Sequence, residues 1–117
     1  MVHELYNLKM INEIAQGDQG FIMEMLVTFV ESVTVEIEHV RSSMRMENWT
    51  SVAETAHKLA SNFAYLGASN LHAHAVDLEK SVLHDHDLTG IAEKAGQLCD
   101  EGSKLLSLLK NDFDITD

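Results

Sequence analysis

The feature that most constrains how this sequence can fold is the absence of proline. None of its 117 residues is proline and only 6 are glycine, so the residues that most often interrupt helices or form hairpin turns are scarce. Apolar residues recur at steps of three and four along most of the chain, which places them on one face of an α-helix. The sequence therefore predicts an all-α protein.

Five segments carry such an apolar stripe. We predict helices over roughly 5–15, 19–46, 49–66, 69–84 and 88–110. The longest stripe consists of Ile22, Leu26, Phe29, Val33, Ile37, Val40 and Met44. Four long helices joined by short connections predict an antiparallel up-and-down four-helix bundle. We expect one domain spanning residues 1–117, with the short first helix as a lid.

Polar residues and glycine mark the predicted helix ends. Asp18 and Asn48 stand where the second and third helices begin, and both residue types accept hydrogen bonds from free backbone N–H groups. Gly67 follows the third helix as a C-terminal glycine would. Ser69 or Asn70 is the predicted cap of the fourth helix.

Charge and cysteine content exclude several classes of function. Eight Lys and Arg against 19 Asp and Glu give a net charge of -11, which would repel nucleic acid and anionic lipid. The single cysteine, Cys99, excludes an intrachain disulfide and fits a reducing compartment. The longest apolar stretch, 21–30, is interrupted by Glu24 and is shorter than the ~20 residues of a membrane span. We expect a cytoplasmic protein that binds neither nucleic acid nor membrane.

His57 is the candidate functional residue. It lies one position after Ala56 and two before Leu59, so it falls beside the apolar stripe and should be exposed. Most of its neighbours one and two turns away are small: Ala53, Ala60, Ser61 and Ala64. Exposed helix positions usually carry long side chains, so small ones suggest room for a partner. From spacing alone, a partly exposed structural histidine is the favoured interpretation.

The residues around His57 resemble the signature of histidine-containing phosphotransfer (HPt) domains. The matching motif is Ala-His57-x-Leu59, followed by Leu66-Gly67-Ala68, Leu71, Ala75 and Leu78-Glu79. Upstream, the resemblance includes Gly17-Asp18-x-x-Phe21, Leu26 and Phe29. It therefore covers nearly the whole chain.

This resemblance implies a phosphorelay intermediate and not an ATP-dependent kinase. His57 would accept a phosphoryl group from the phospho-aspartate of one receiver domain and pass it to another. The implied partners are receiver domains of response regulators or of a hybrid sensor histidine kinase. The receiver would supply Mg²⁺, so we expect no cofactor on this chain, and we expect a monomer. The sequence has no glycine-rich phosphate-binding loop, which agrees with this expectation.

The family commonly has lysine three residues after the histidine and glycine at the fourth, where this chain has Ala60 and Ser61. Lys58 lies about 100° round the helix from His57 and does not simply replace that lysine. The Ser61 hydroxyl either donates to a phosphoryl oxygen or bonds to solvent. The predicted supporting and docking residues are Glu54, Lys58, Ala60, Ser61 and Ala64.

Two alternatives remain open at the level of sequence. Glu36 with His39 and Glu54 with His57 are both Glu-x-x-His pairs, the spacing used in di-iron helical bundles. Against such a metal site, those ligands would have to project into the bundle, and they lie off the apolar stripes. The other alternative is a bundle that docks receivers without accepting phosphate.

Four further histidines lie near the two ends of the predicted fourth helix. Residues two apart on a helix point about 200° apart, so His72 and His74 should not chelate one metal ion. His84 and His86 belong to the polar segment 84–87, which we interpret as a solvated turn with adventitious metal binding as the alternative.

Overall fold

The computed structural model describes residues 5–85 and 87–116, which form five α-helices and no strand. The helices are α1 (Lys9–Ala15), α2 (Gln19–Arg45), α3 (Trp49–Tyr65), α4 (Ser69–Lys80) and α5 (Leu88–Phe113). One π-helical turn, Ser81–Asp85, continues α4. The all-α prediction is confirmed.

The four long helices form an antiparallel bundle that measures 44 Å along its longest axis. α2 packs against α3, α3 against α4, α4 against α5, and α5 returns to α2, while α1 lies against α2. The α2–α3 and α4–α5 connections therefore lie at one end of the bundle. Within the described residues, no helix is both long enough and apolar enough to cross a membrane.

The predicted stripes form the core of the bundle. The side chains without measurable exposure include Leu26, Val33, Val40, Ala56, Leu59, Phe63, Leu78 and Leu105. A Cβ atom on Gly102 would lie 2.9 Å from Cδ1 of Ile37, so glycine at this position lets α5 approach α2 closely. Leu88 precedes the buried Ile91 by three residues and so fits the apolar spacing of α5, but it is 53% exposed because it is the first residue of α5 at the end of the bundle.

Two of the three predicted N-cap residues are confirmed. Asp18 Oδ1 accepts from the Phe21 N–H at 3.1 Å, and Asn48 Oδ1 accepts from the Ser51 N–H at 3.2 Å. Gly67 ends α3 with a φ of 65°, in the left-handed region that favours glycine. The predicted cap of α4 was wrong: its N-cap is Ala68, which offers no side-chain acceptor.

Residues 5–8 do not begin the first helix, contrary to the predicted start at residue 5. The Asn7 N–H donates to the Leu66 carbonyl at 2.8 Å instead, which ties this segment to the end of α3. Tyr6 Oη donates to Asp112 at 2.7 Å, and its ring packs against Phe113 with centroids 6.0 Å apart. Asp112 and Phe113 belong to the last turn of α5, which continues three residues beyond its predicted end at 110.

Candidate functional site

His57 lies in the middle of α3, with its imidazole directed to solvent. The stripe residues Ala56 and Leu59 on either side are fully buried, which fixes the rotation of the helix. The His57 side chain is 69% exposed. A reagent or a partner domain can therefore reach the ring without any rearrangement of the core.

The exposed imidazole is held by a carboxylate from the neighbouring helix. Nδ1 of His57 lies 3.2 Å from Oε1 of Glu79 on α4, whose side chain is 25% exposed. An ionised carboxylate can only accept hydrogen bonds, so Nδ1 donates. In the neutral ring this places the proton on Nδ1 and leaves the lone pair on Nε2. The Glu79 carboxylate thus favours this orientation of the ring and the Nδ1–H tautomer.

An open groove of about 700 Å³ surrounds this pair. Its lining comes from α3, α4 and the π-helical turn, and consists of Thr50, Ala53, Glu54, His57, Lys58, Glu79 and Leu83. The predicted supporting residues Glu54 and Lys58 are therefore beside His57. No lining residue comes from α3 beyond Lys58.

The remaining predicted docking residues, Ala60, Ser61 and Ala64, differ in their exposure. Ser61 and Ala64 are exposed on α3, but they do not line the His57 groove. Ala60 was predicted on the docking surface and is instead only 5% exposed. Position 60 faces α4, and the Ala60 carbonyl accepts a hydrogen bond from Nδ1 of His72 at 2.9 Å. Ala60 therefore belongs to the α3–α4 contact.

Sequence reasoning gave no role to Glu79 or Leu83. Glu79 was among the motif residues, yet only the structure pairs it with His57. A usable signal existed, since His57 lies 10 residues before Gly67 and Glu79 lies 12 after it. Residues at similar distances from the turn of an antiparallel helix pair lie side by side. Leu83 had no such signal, because it lies in the π-helical turn.

A second histidine–glutamate pair provides a comparison within the same chain. Nδ1 of His74 lies 2.7 Å from Oε1 of Glu101, so this ring is also held by a carboxylate of a neighbouring helix. The His74 side chain is 42% exposed and does not line the groove described above. Carboxylate contact alone therefore does not distinguish His57. His57 is distinguished by its greater exposure and by its position beside an open groove.

The di-metal alternative lacks convergent ligands. Glu36 and His39 line a different groove from the one that contains both Glu54 and His57. Residues 5–85 and 87–116 contain no group of three or more His, Cys, Asp or Glu side chains placed to hold a metal ion. The two Glu-x-x-His pairs are thus separate surface features.

Glu36 has a structural partner instead. Asn62 Nδ2 donates to Glu36 Oε1 at 2.8 Å, joining α2 to α3. Burial raises the pKa of the Glu36 carboxyl above its ordinary value, while the Asn62 hydrogen bond and the Lys58 charge act in the opposite direction.

His72 and His74 turn to different helices, as their spacing predicts. His72 contacts Ala60 of α3 and His74 contacts Glu101 of α5, so the two rings do not face one another. His84 is exposed in the π-helical turn. His86, the other histidine of the predicted polar turn, lies outside the described residues.

An antiparallel bundle with an exposed histidine on one helix is the arrangement of a phosphotransfer domain. The family model described as the Hpt domain matches residues 24–113. The chain therefore belongs to the Hpt domain family. This membership assigns it to histidine phosphotransfer in two-component phosphorelays. Hpt domains carry phosphoryl groups and are not kinases.

The fold of a solved structure agrees with this assignment. The bundle superposes on the crystal structure of the HPT domain from the Hpt sensor hybrid histidine kinase from Shewanella with a TM-score of 0.79. The two chains are 18% identical, and the match covers 94% of each. No curated protein matches the sequence. At this identity the likeness concerns the fold alone.

Proposed function

We infer that His57 is the phosphoryl carrier of this domain. The observation that supports this most strongly is the contact of 3.2 Å between His57 Nδ1 and Glu79 Oε1 on a ring that is 69% exposed. It leaves Nε2 as a nucleophile directed to solvent. His57 is also the histidine on which the family motif is centred.

The chemistry is transfer between an acyl phosphate and an imidazole. Nε2 of His57 attacks the phosphorus of a receiver phospho-aspartate, the P–O bond breaks, and the aspartate leaves as a carboxylate. The ring then carries a positive charge, which the Glu79 carboxylate stabilises through Nδ1–H. In the return step the phosphoryl group moves from Nε2 to the aspartate of a second receiver, and the neutral ring is restored.

The groove supplies the remaining groups of the site. Lys58 places a cation on the wall that also contains His57, and a phosphoryl group carries negative charge. Catalysis of phosphoryl transfer depends mainly on positioning and electrostatic stabilisation. We propose that this chain contributes a positioned nucleophile, while the receiver contributes Mg²⁺ and most of the charge stabilisation.

The experiment compares His57→Gln with His74→Gln. Each protein is incubated with a panel of receiver domains from the source organism, phosphorylated with acetyl phosphate, and the phosphate on the bundle is quantified. We expect acid-labile, alkali-stable label on the wild type and on H74Q, and none on H57Q. Circular dichroism should show the same helix content in all three proteins, because both rings lie at the surface.

Comparison with H74Q shows whether a loss of label is specific to His57. H74Q removes a histidine with the same carboxylate contact, so equal loss of label in both variants would contradict the assignment of His57. Undiminished label on H57Q would contradict it directly. Stable complex formation with a phosphorylated receiver but no label on the wild type would indicate a docking bundle without transfer.

A further inference from the structure

The groove at His57 extends to one side only. Besides His57 and the adjacent Lys58, the α3 residues that line it are Thr50, Ala53 and Glu54, and all three precede His57. Its other wall is formed by Glu79 and by Leu83 in the π-helical turn. The concave surface therefore runs from His57 towards the end of the bundle with the α2–α3 and α4–α5 connections. It runs away from Ser61 and Ala64.

Leu83 is the large apolar side chain of this groove. It is 52% exposed, whereas the preceding residue, Val82, is 5% exposed and belongs to the core. Leu83 follows Glu79 by four residues, and both side chains line the groove. π-helical turns occur frequently at functional sites. An exposed leucine one turn from the Glu79–His57 pair is placed to contact a domain that reaches His57.

The charges of the groove indicate which charged side chains a partner would present to it. Glu54 is exposed on the α3 wall and Glu79 lies on the α4 wall, whereas Lys58 is the cation among the lining residues. The whole chain carries a net charge of -11. A complementary surface would therefore combine an apolar side chain with a basic one, since interfaces pair opposite potentials.

We propose that Leu83 and Glu54 select the receiver domain that exchanges phosphoryl groups with His57. An apolar side chain of the receiver packs on Leu83, and a basic side chain of the receiver pairs with Glu54. This proposal rests on the proposed function of His57. It places the selective contacts on the Thr50 side of His57, which includes the predicted docking residue Glu54, and not on the side of Ser61 and Ala64, which the sequence had also indicated.

The test uses two matched pairs of variants. Leu83→Ser is compared with Leu88→Ser, because the two leucines are 52% and 53% exposed at the same end of the bundle and only Leu83 lines the groove. Glu54→Lys is compared with Glu93→Lys, which makes the same charge change at an exposed position of α5. The probe is the receiver that transfers fastest to the wild type, phosphorylated with acetyl phosphate.

We expect L83S and E54K each to lower the second-order rate constant of transfer by roughly tenfold, the effect of removing one central interface contact. L88S and E93K should stay within about twofold of the wild type, as substitutions outside an interface do. The E54K defect should shrink at high salt, because screening weakens the repulsion between the new lysine and a basic partner.

Docking is measured separately from transfer by adding each substitution to H57Q and titrating with the same unphosphorylated receiver. Weaker binding of H57Q/L83S than of H57Q/L88S supports Leu83 as a receiver contact, and this readout does not depend on which histidine is phosphorylated. Equal affinities and equal transfer rates within each matched pair would overturn it. Loss of label in H57Q with equal binding in all double variants would leave His57 as the carrier and remove Leu83 and Glu54 as the selecting residues.

Discussion

Nδ1 of His57 lies 3.2 Å from Oε1 of Glu79, although the two residues are 22 positions apart in the chain. The contact joins the exposed face of α3 to α4 and makes the imidazole part of a two-helix unit. A surface histidine without such a partner samples several rotamers and both neutral tautomers. The carboxylate selects the form in which Nε2 is the free nitrogen.

Removing the Glu79 carboxylate should therefore slow phosphotransfer without unfolding the bundle. We expect Glu79→Ala to lower the transfer rate by roughly tenfold, the value of one charge-assisted hydrogen bond. Glu79→Gln should lose less, because its amide oxygen still accepts from Nδ1–H. The rates are measured with a phosphorylated receiver in single-turnover assays.

Glu101→Ala provides the control for this prediction. It removes the carboxylate that contacts His74 through the same ring nitrogen, 2.7 Å from Nδ1, and leaves the His57 groove intact. Transfer rates that fall equally in the Glu79 and Glu101 variants would point to a general loss of bundle stability. The ¹⁵N chemical shifts of the His57 ring should change in E79A and remain unchanged in E101A.

Lys58 should stabilise the phosphorylated form to a modest extent. It lines the same groove as His57 but is exposed, so solvent screens its charge. We expect Lys58→Gln to lower the amount of phosphohistidine at equilibrium by about fivefold or less, the usual range for an exposed ion pair. Lys104→Gln, an exposed substitution on α5, should have no effect, and an equal loss there would contradict a local role for Lys58.

Glu36 should make stability depend on pH in a predictable direction. Because burial raises its pKa, the folded protein binds this proton more tightly than the unfolded chain. The resulting stabilisation is complete below the ordinary pKa of 4.5 and is lost as the pH rises through the higher pKa of the folded state.

Replacing Glu36 by glutamine removes the charge and keeps the acceptor for Asn62. We therefore expect E36Q to be more stable than the wild type at pH 7, by at most about 1 kcal/mol because solvent screens a partly exposed group. The difference should vanish below pH 4.5. Urea denaturation across this pH range measures it, with Glu31→Gln on the same helix as the exposed control. A less stable E36Q at pH 7 would contradict the assignment.

Gly67 should tolerate no side chain. Its φ is 65°, and a Cβ atom there would overlap the Asn7 carbonyl oxygen and lie 2.7 Å from the Asn7 Cβ. We expect Gly67→Ala to lower the free energy of unfolding by about 2–4 kcal/mol, from backbone strain and overpacking together. Gly17→Ala has the strain alone, with a φ of 78° and open space around it, and should cost about 1–2 kcal/mol. Equal losses would mean that residues 5–8 do not pack closely on Gly67.

The helices and their buried faces were predictable because each follows from local periodicity. A step of three or four residues keeps Leu26, Val33 and Val40 on one side of α2, and only a bundle buries four such stripes together. Leu88 fits the spacing of three and four residues in α5 and is nevertheless exposed. Periodicity fixes the direction of a side chain, whereas burial also requires a neighbouring element at that level of the bundle.

The site was only partly predictable for the same reason. The exposure of His57 follows from its angle to the stripe, which the sequence contains. The burial of Ala60, the contact with Glu79 and the groove wall at Leu83 depend on where α4 crosses α3 and on the π-helical turn that follows. No spacing rule within one helix contains that information.

The most direct test of the central claim is to locate the phosphoryl group on the protein. After transfer from a phosphorylated receiver, long-range ¹H–¹⁵N correlation spectra of the histidine rings identify both the residue and the nitrogen that carries phosphorus. We predict a single phosphohistidine, at Nε2 of His57, with Nδ1 still protonated beside Glu79. Phosphorus on Nδ1 of His57, or on any other histidine, would contradict the account.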